Sequence, residues 1–170
     1  MDTMEAIMTR RSVRKFTSKP VSREVLEKIV QAGIEAPSGC NMQLRQYVII
    51  DDPKRMDEIR FCSKAIGGAP AAIVILVEPK ASPYGEFWMQ DASAAMQNML
   101  LAAVALGYGA CWIEGAMRRA EDQLRKILGV PEHLRVWSLL PVGRPDQEPT
   151  RPAKSEFADV VSYNQFKVPS

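Results

Sequence analysis

Residues 91–107 read DASAAMQNMLLAAVALG, and this stretch decides the architecture. It is the body of a helix expected over 86–106. Its apolar residues, with Met89 just upstream (Met89, Ala92, Ala95, Met96, Met99, Leu100, Ala103), spread almost all round the cylinder instead of along one stripe. A helix of that kind must be covered on every side. Small residues and methionines suit close packing, either inside the chain or against a second copy. Gly107-Tyr108-Gly109 then turns the chain into a short strand expected over 110–113.

Working outward, Ala71–Val77 is a continuous apolar run between Pro70 and Pro79 and reads as a fully buried strand. Downstream, a helix is expected over 120–128, closed by Gly129, and a strand over 136–142. Upstream, helical periodicity covers 4–10 and 22–35. The second of these has Ser22 as N-cap, an apolar face of Val25, Leu26, Ile29, Val30 and Gly33, and a stop at Pro37-Ser38-Gly39. Residues 46–50 read as a strand, and Asp52-Pro53 opens a third helix toward Cys62. Strand–helix–strand units are too few for a doubly wound sheet, so the expected class is α+β. The expectation is a single domain over 1–170. Its tail from about 144 holds Pro145, Pro149, Pro152 and Pro169, so it runs extended and wraps around something.

With 22 basic and 20 acidic residues the net charge is +2, which gives no argument for a nucleic-acid partner. Three cysteines (Cys40, Cys62, Cys111) without Cys-x-x-Cys spacing and one histidine, His133, make no metal site. Free thiols without a signal peptide point to the cytoplasm. The most apolar stretch, 92–113, is broken by Ser93, Gln97, Asn98 and the Gly-Tyr-Gly turn, so no membrane span is expected. His133, in a turn after Gly129, reads as a surface residue, and Cys40 as an inert small side chain.

The local charge is more informative than the total. Arg10, Arg11, Ser12, Arg14 and Lys15 set four cations and a hydroxyl within six positions, directly behind a short amphipathic segment. Arginine presents a planar fork of donors that fits phosphate oxygens in pairs, and serine adds a hydroxyl. The pattern suits a small dianion.

Five segments, in order, carry a resemblance: Arg10-Arg-Ser-Val-Arg14; Ala36-Pro-Ser-Gly-Cys-Asn-Met-Gln43; Asp91 to Gly107; Trp112-Ile-Glu-Gly115; and Gly143-x-Pro145 with Arg151-Pro-Ala-Lys154 and Val160-Val-Ser-Tyr-Asn164. Together they resemble the nitroreductase family of flavin mononucleotide (FMN) enzymes. The resemblance implies a three-layer α+β sandwich with a central mixed or antiparallel sheet flanked by helices. It also implies an obligate homodimer with FMN in two interface clefts and NAD(P)H as reductant. By the same resemblance, Arg10 and Ser12 contact the FMN phosphate, Arg11 lies near the ribityl chain, and Arg14 lies beside the pyrimidine edge of the ring. Pro37 and Ser38 line the ring edge, and Asn41 and Gln43 reach it from the same or the facing subunit. The backbone of Glu114 and Gly115, after Trp112 and Ile113, faces N5 and O4, with no side-chain catalyst. Arg151 is the second phosphate cation and Lys154 its fallback, while Lys64 is a candidate contact to the pyrimidine.

The family pattern usually continues Gln-Pro-Trp where this chain has Gln43-Leu44-Arg45, which brings a cation to the pocket. The implied reaction is ping-pong: hydride passes from NAD(P)H to flavin N5, then to a nitroaromatic, quinone or enone-like acceptor. The alternative is a flavin-binding module, an FMN carrier or sensor with little reductase activity. It is suggested by the short connection Pro79–Glu86, which leaves the cleft with less cover.

Overall fold

The computed structural model describes residues 1–166, so Pro169 lies outside the described residues. Strands β1 (Arg45–Ile50), β2 (Ala71–Val77), β3 (Gly109–Ala110) and β4 (Arg135–Gly143) form one antiparallel sheet in the order β1-β2-β4-β3. A parallel bridge from Ser12 to Ala110 extends its β3 edge.

The sheet divides two cores. Along β2, Ala72, Val74 and Leu76 pack with Met56 and Ile59, and with Met117 and Leu124. These belong to helices α3 (Pro53–Ile59) and α5 (Met117–Leu128). The alternate residues Ile73, Ile75 and Val77 pack with Leu26 and Ile29, and with Met96 and Met99, on α2 (Arg23–Ile34) and α4 (Trp88–Ala105). Because successive strand side chains point to opposite faces, an unbroken apolar run is what a sheet covered on both sides requires. The result is the three-layer α+β sandwich.

Local chemistry explains the helix ends. The Asp52 carboxylate accepts the Arg55 N–H at 2.8 Å, with Pro53 in the first turn of α3. Gly129 closes α5 at φ 67, a left-handed position glycine adopts without penalty. Ser22 occupies the N-cap position of α2, but its hydroxyl makes no capping bond.

Two features differ from the sequence expectations, and a third bears on an alternative they left open. The strand expected over 110–113 ends at Ala110 and touches β4 again through the bridge from Ile113 to Leu139. The register places Cys111 opposite Pro141, which has no N–H to complete the ladder. Second, β4 carries an extra residue where Ile75 pairs with Ser138 but Leu76 with Val136. That bulge puts Trp137 on the α4 side, edge-on to Trp88 with centroids 4.9 Å apart. Third, α4 is not covered all round within one chain. Asn98, Leu101, Ala102 and Ala105 line an open groove with Met1 and Ala6 and with Ala32 and Glu35 of the α2 end. Ala6 belongs to the first helix, α1 (Thr3–Thr9). Over 144–166 the tail has one short helix, α6 (Phe157–Val160), and no strand of its own. Among the described residues no helix is long and apolar enough to cross a membrane.

Candidate functional site

The segment after α1 runs as irregular backbone held by isolated bridges at Ser12 and Phe16. Val13 and Phe16 are buried, while Ser12 and Arg14 line a cleft. The Val13 N–H donates to the Ala110 carbonyl at 2.9 Å, fastening the segment to β3. Thr17 N–H donates to the Arg144 carbonyl at 3.0 Å, and Asp146 N–H to the Lys15 carbonyl at 3.0 Å. These two bonds lead the tail back across the segment.

Between segment and tail lies this cleft of about 360 Å³, lined by Arg10, Arg11, Ser12 and Arg14 on one side. Gln147, Pro149, Thr150, Pro152 and Lys154 line the other. It contains four cations and no carboxylate, and among the described residues none of the four forms an ion pair. Like charges gathered without a partner repel one another, so the donor set fits a multiply charged anion such as a phosphate monoester. Arg11 is partly committed elsewhere: its Nη1 donates to the carbonyls of Met8 at 2.8 Å and Arg10 at 2.7 Å, closing the end of α1.

Arg151 is exposed and is not among the lining residues, whereas Lys154 is. Gln147 and Thr150 line the cleft without any advance signal in the sequence, since neither belongs to a motif. Lys64 sits on a turn next to the segment: a Cβ on Gly67 (φ 52) would lie 2.5 Å from the Arg14 carbonyl oxygen.

Trp112, Ile113, Glu114 and Gly115 form the turn between β3 and α5. Ile113 and Leu139 exchange two backbone bonds, at 2.9 and 2.8 Å. The Glu114 carbonyl accepts the Met117 N–H at 2.8 Å, which starts α5. Among the described residues, the N–H groups of Glu114 and Gly115 have no acceptor within the chain. A Cβ on Gly115 would meet nothing within 4 Å. The buried Trp112 indole N–H also lacks a partner. The turn thus holds two consecutive amides without an acceptor among the described residues, a donor pair suited to an electronegative ring edge.

Pro37, Ser38, Asn41 and Gln43 lie elsewhere. Their loop is tied to the first turn of α4, where the Asp91 carboxylate accepts the Gly39 N–H at 2.8 Å. The basic segment instead lies beside Leu100 and Val104, near the other end of α4. At 1.5 Å per residue those anchor points are about 14–20 Å apart along the helix. Within one chain the structure brings Arg10, Arg11, Ser12 and Arg14 together and leaves Asn41 and Gln43 remote from them.

Of the three free thiols, Cys40 is exposed and the other two are not. Cys111 is buried, and burial pushes the Cys62 thiol up to about 11, so it stays protonated. Among the described residues no group of three or more His, Cys, Asp or Glu side chains is placed to hold a metal ion.

The nitroreductase family model matches residues 7–60 and 58–144, and the chain belongs to that family. An Archaeoglobus fulgidus protein provisionally named NADH dehydrogenase/NAD(P)H nitroreductase is 39% identical over 86% of this chain and 87% of its own length. The NADPH-flavin oxidoreductase of Vibrio harveyi is 29% identical, covering 98% of this chain and 75% of that protein. Among solved structures, a provisionally named nitroreductase from Desulfovibrio desulfuricans, crystallised with FMN, superposes with a TM-score of 0.83 at 31% identity, covering 98% of this chain and 99% of that one.

Proposed function

We propose that this chain is an FMN-dependent NAD(P)H oxidoreductase that reduces a small electrophilic acceptor (nitroaromatic, quinone or enone-like) in ping-pong order. The observation that carries this reading is the carboxylate-free cleft of Arg10, Arg11, Arg14 and Lys154, bonded through Val13 to the strand that runs into the amide turn. FMN, when held there, would supply the two-electron hydride chemistry that links nicotinamide to acceptor.

The protein's part is binding and orientation. Arg10, Ser12 and Lys154 are assigned to the phosphate, each charge-assisted bond contributing about 1.5–3 kcal/mol. Arg11 is assigned to the ribityl chain and Arg14 to the pyrimidine edge, where a cation favours the reduced, anionic ring. The free amides of Glu114 and Gly115 are assigned to N5 and O4. Fixed backbone dipoles there polarise the hydride-accepting edge without reorganising. No side chain is required to hold a proton for the hydride step.

We further propose that the active form is a homodimer of single-domain chains. The open groove along α4 supports this, as do the exposed Met4, Ile7 and Met8 of α1 and the exposed Phe157, Val160 and Tyr163 of the tail. In a dimer, Ser38, Asn41 and Gln43 serve the partner's flavin, which reconciles the two ends of α4. The free cysteines suit the cytoplasm, where we place the protein.

The test is direct. Purified protein is expected to carry or take up FMN, and its absorbance near 450 nm (roughly where oxidised flavin absorbs) is expected to bleach with NADH or NADPH and recover with a quinone. Failure to bind FMN would overturn the reading. Bound flavin that neither nicotinamide bleaches but dithionite reduces would instead favour a carrier or sensor.

A further inference from the structure

The loop over 36–43 is clamped more heavily than the end of a helix requires. Cys40, Asn41 and Gln43 all hold left-handed backbone, at φ 51, 54 and 52, a region that residues with a Cβ avoid. Arg45, at the start of β1, reaches back over this loop. Its Nη2 donates to the Ala36 carbonyl at 2.7 Å, and its Nη1 donates to the carbonyls of Pro37 at 3.2 Å and Asp91 at 2.9 Å. Asp91 is only 5% exposed, and its carboxylate takes the Gly39 N–H. The Phe87 ring fills the space a Cβ on Gly39 would need.

The cation at position 45 is therefore spent on backbone carbonyls. This corrects the expectation that it adds a charge to the pocket. A guanidinium fork can serve three carbonyls in fixed directions, which a lysine ammonium on a flexible stem does not. Backbone held in a sparsely populated region persists where its surroundings over-determine it. Here Arg45 fixes the stem at Ala36 and Pro37 and Asp91 fixes Gly39, and Ser38 between them accepts the Asn41 N–H at its carbonyl and the Gln43 N–H at its hydroxyl.

Resting on the flavin reading above, we propose that Arg45 and Asp91 are positioning residues that hold the 36–43 loop in its left-handed form, so that Ser38, Asn41 and Gln43 meet the flavin ring and the nicotinamide beside it. They act through the loop, not as a charge toward substrate.

The experiment uses the FMN-loaded full chain and compares Arg45→Lys, Arg45→Met, Asp91→Ala and Asp91→Asn. Both Arg45 variants and Asp91→Ala are expected to shift the visible band of the bound flavin. They are also expected to raise KM for the nicotinamide by about tenfold, with kcat and FMN affinity changed less than about threefold. Asp91→Asn keeps an oxygen acceptor for Gly39 and is expected to restore the wild-type spectrum and KM. Wild-type behaviour of Arg45→Lys beside an impaired Arg45→Met would show that charge matters rather than the fork, and would overturn the proposal. So would an unchanged spectrum and KM in all four. If the Arg45 variants do not fold, the Asp91 pair decides: impairment by Ala with rescue by Asn supports the proposal, and equal behaviour overturns it. Failure of the flavin reading itself is visible earlier, as wild-type protein that binds no FMN.

Discussion

Val13 fills the space in which Gly109 would carry a side chain: a Cβ built there would lie 2.8 Å from the Val13 Cβ and Cγ1. With the bond from the Val13 N–H to the Ala110 carbonyl, this close approach makes one seam of the basic segment and β3. The cleft cations and the turn at 112–115 are held in register across it.

Gly109→Ala is expected to force that seam apart and destabilise the fold by about 1–3 kcal/mol, the usual cost of overpacking. Urea denaturation measures it. Adding Val13→Ala removes the clashing methyls and is expected to recover part of the loss, so the double-mutant cycle is non-additive.

Arg10→Ala and Lys154→Ala are each expected to weaken FMN binding at least tenfold, since a charge-assisted phosphate contact exceeds about 1.4 kcal/mol. Arg151→Ala, at a residue outside the cleft lining, is expected to change it less than about threefold. Flavin-fluorescence quenching at fixed ionic strength separates the three. Equal losses at Arg151 and Lys154 would move the phosphate contact further into the tail.

Glu121 carries a pH prediction. Its carboxylate accepts Arg135 Nε at 2.7 Å and Nη2 at 2.8 Å, the Val136 N–H at 3.1 Å and Arg125 Nη2 at 3.3 Å. The hydrogen bonds from Arg135 hold it below the ordinary glutamate range, against the opposing effect of burial. A carboxylate depressed in the folded state stabilises above its unfolded pKa, and that stability is lost as pH falls through the folded value. Glu121→Gln is expected to cost about 1–3 kcal/mol at neutral pH and to flatten the acid limb of the stability profile. Chemical denaturation at neutral pH and at mildly and strongly acid pH tests both effects.

Phe157 and Tyr163 are 66% and 73% exposed on a tail that buries neither of them in its own chain. If the tail embraces a second copy, Phe157→Asp with Tyr163→Asp is expected to raise the dimer dissociation constant at least tenfold, as loss of interface anchors does. Sedimentation velocity across a dilution series reads this. A wild-type monomer at micromolar concentration would refute the dimer.

The periodic elements were legible because helix and strand signals depend on neighbouring residues. The apolar run Ala71–Val77 could be satisfied only by a sheet covered on both faces, and Asp52-Pro53 and Gly129 supply helix ends from their own chemistry. The basic cluster was legible for the same reason: three of the four cleft cations, Arg10, Arg11 and Arg14, are neighbours in the chain, whereas Lys15 is not in the lining. Other features depended on partners far away in sequence. The break after Ala110 follows from a proline on the opposite strand, and the presence of Lys154 but not Arg151 in the cleft lining from how the tail crosses residues 10–14. The inward commitment of Arg45 needed Asp91, 46 residues on. By itself the sequence determined the elements, their order and the kinds of donor available. Tertiary structure decided which donors converge, because a hydrogen bond or a close approach between distant residues exists only once both sides of the sheet have packed.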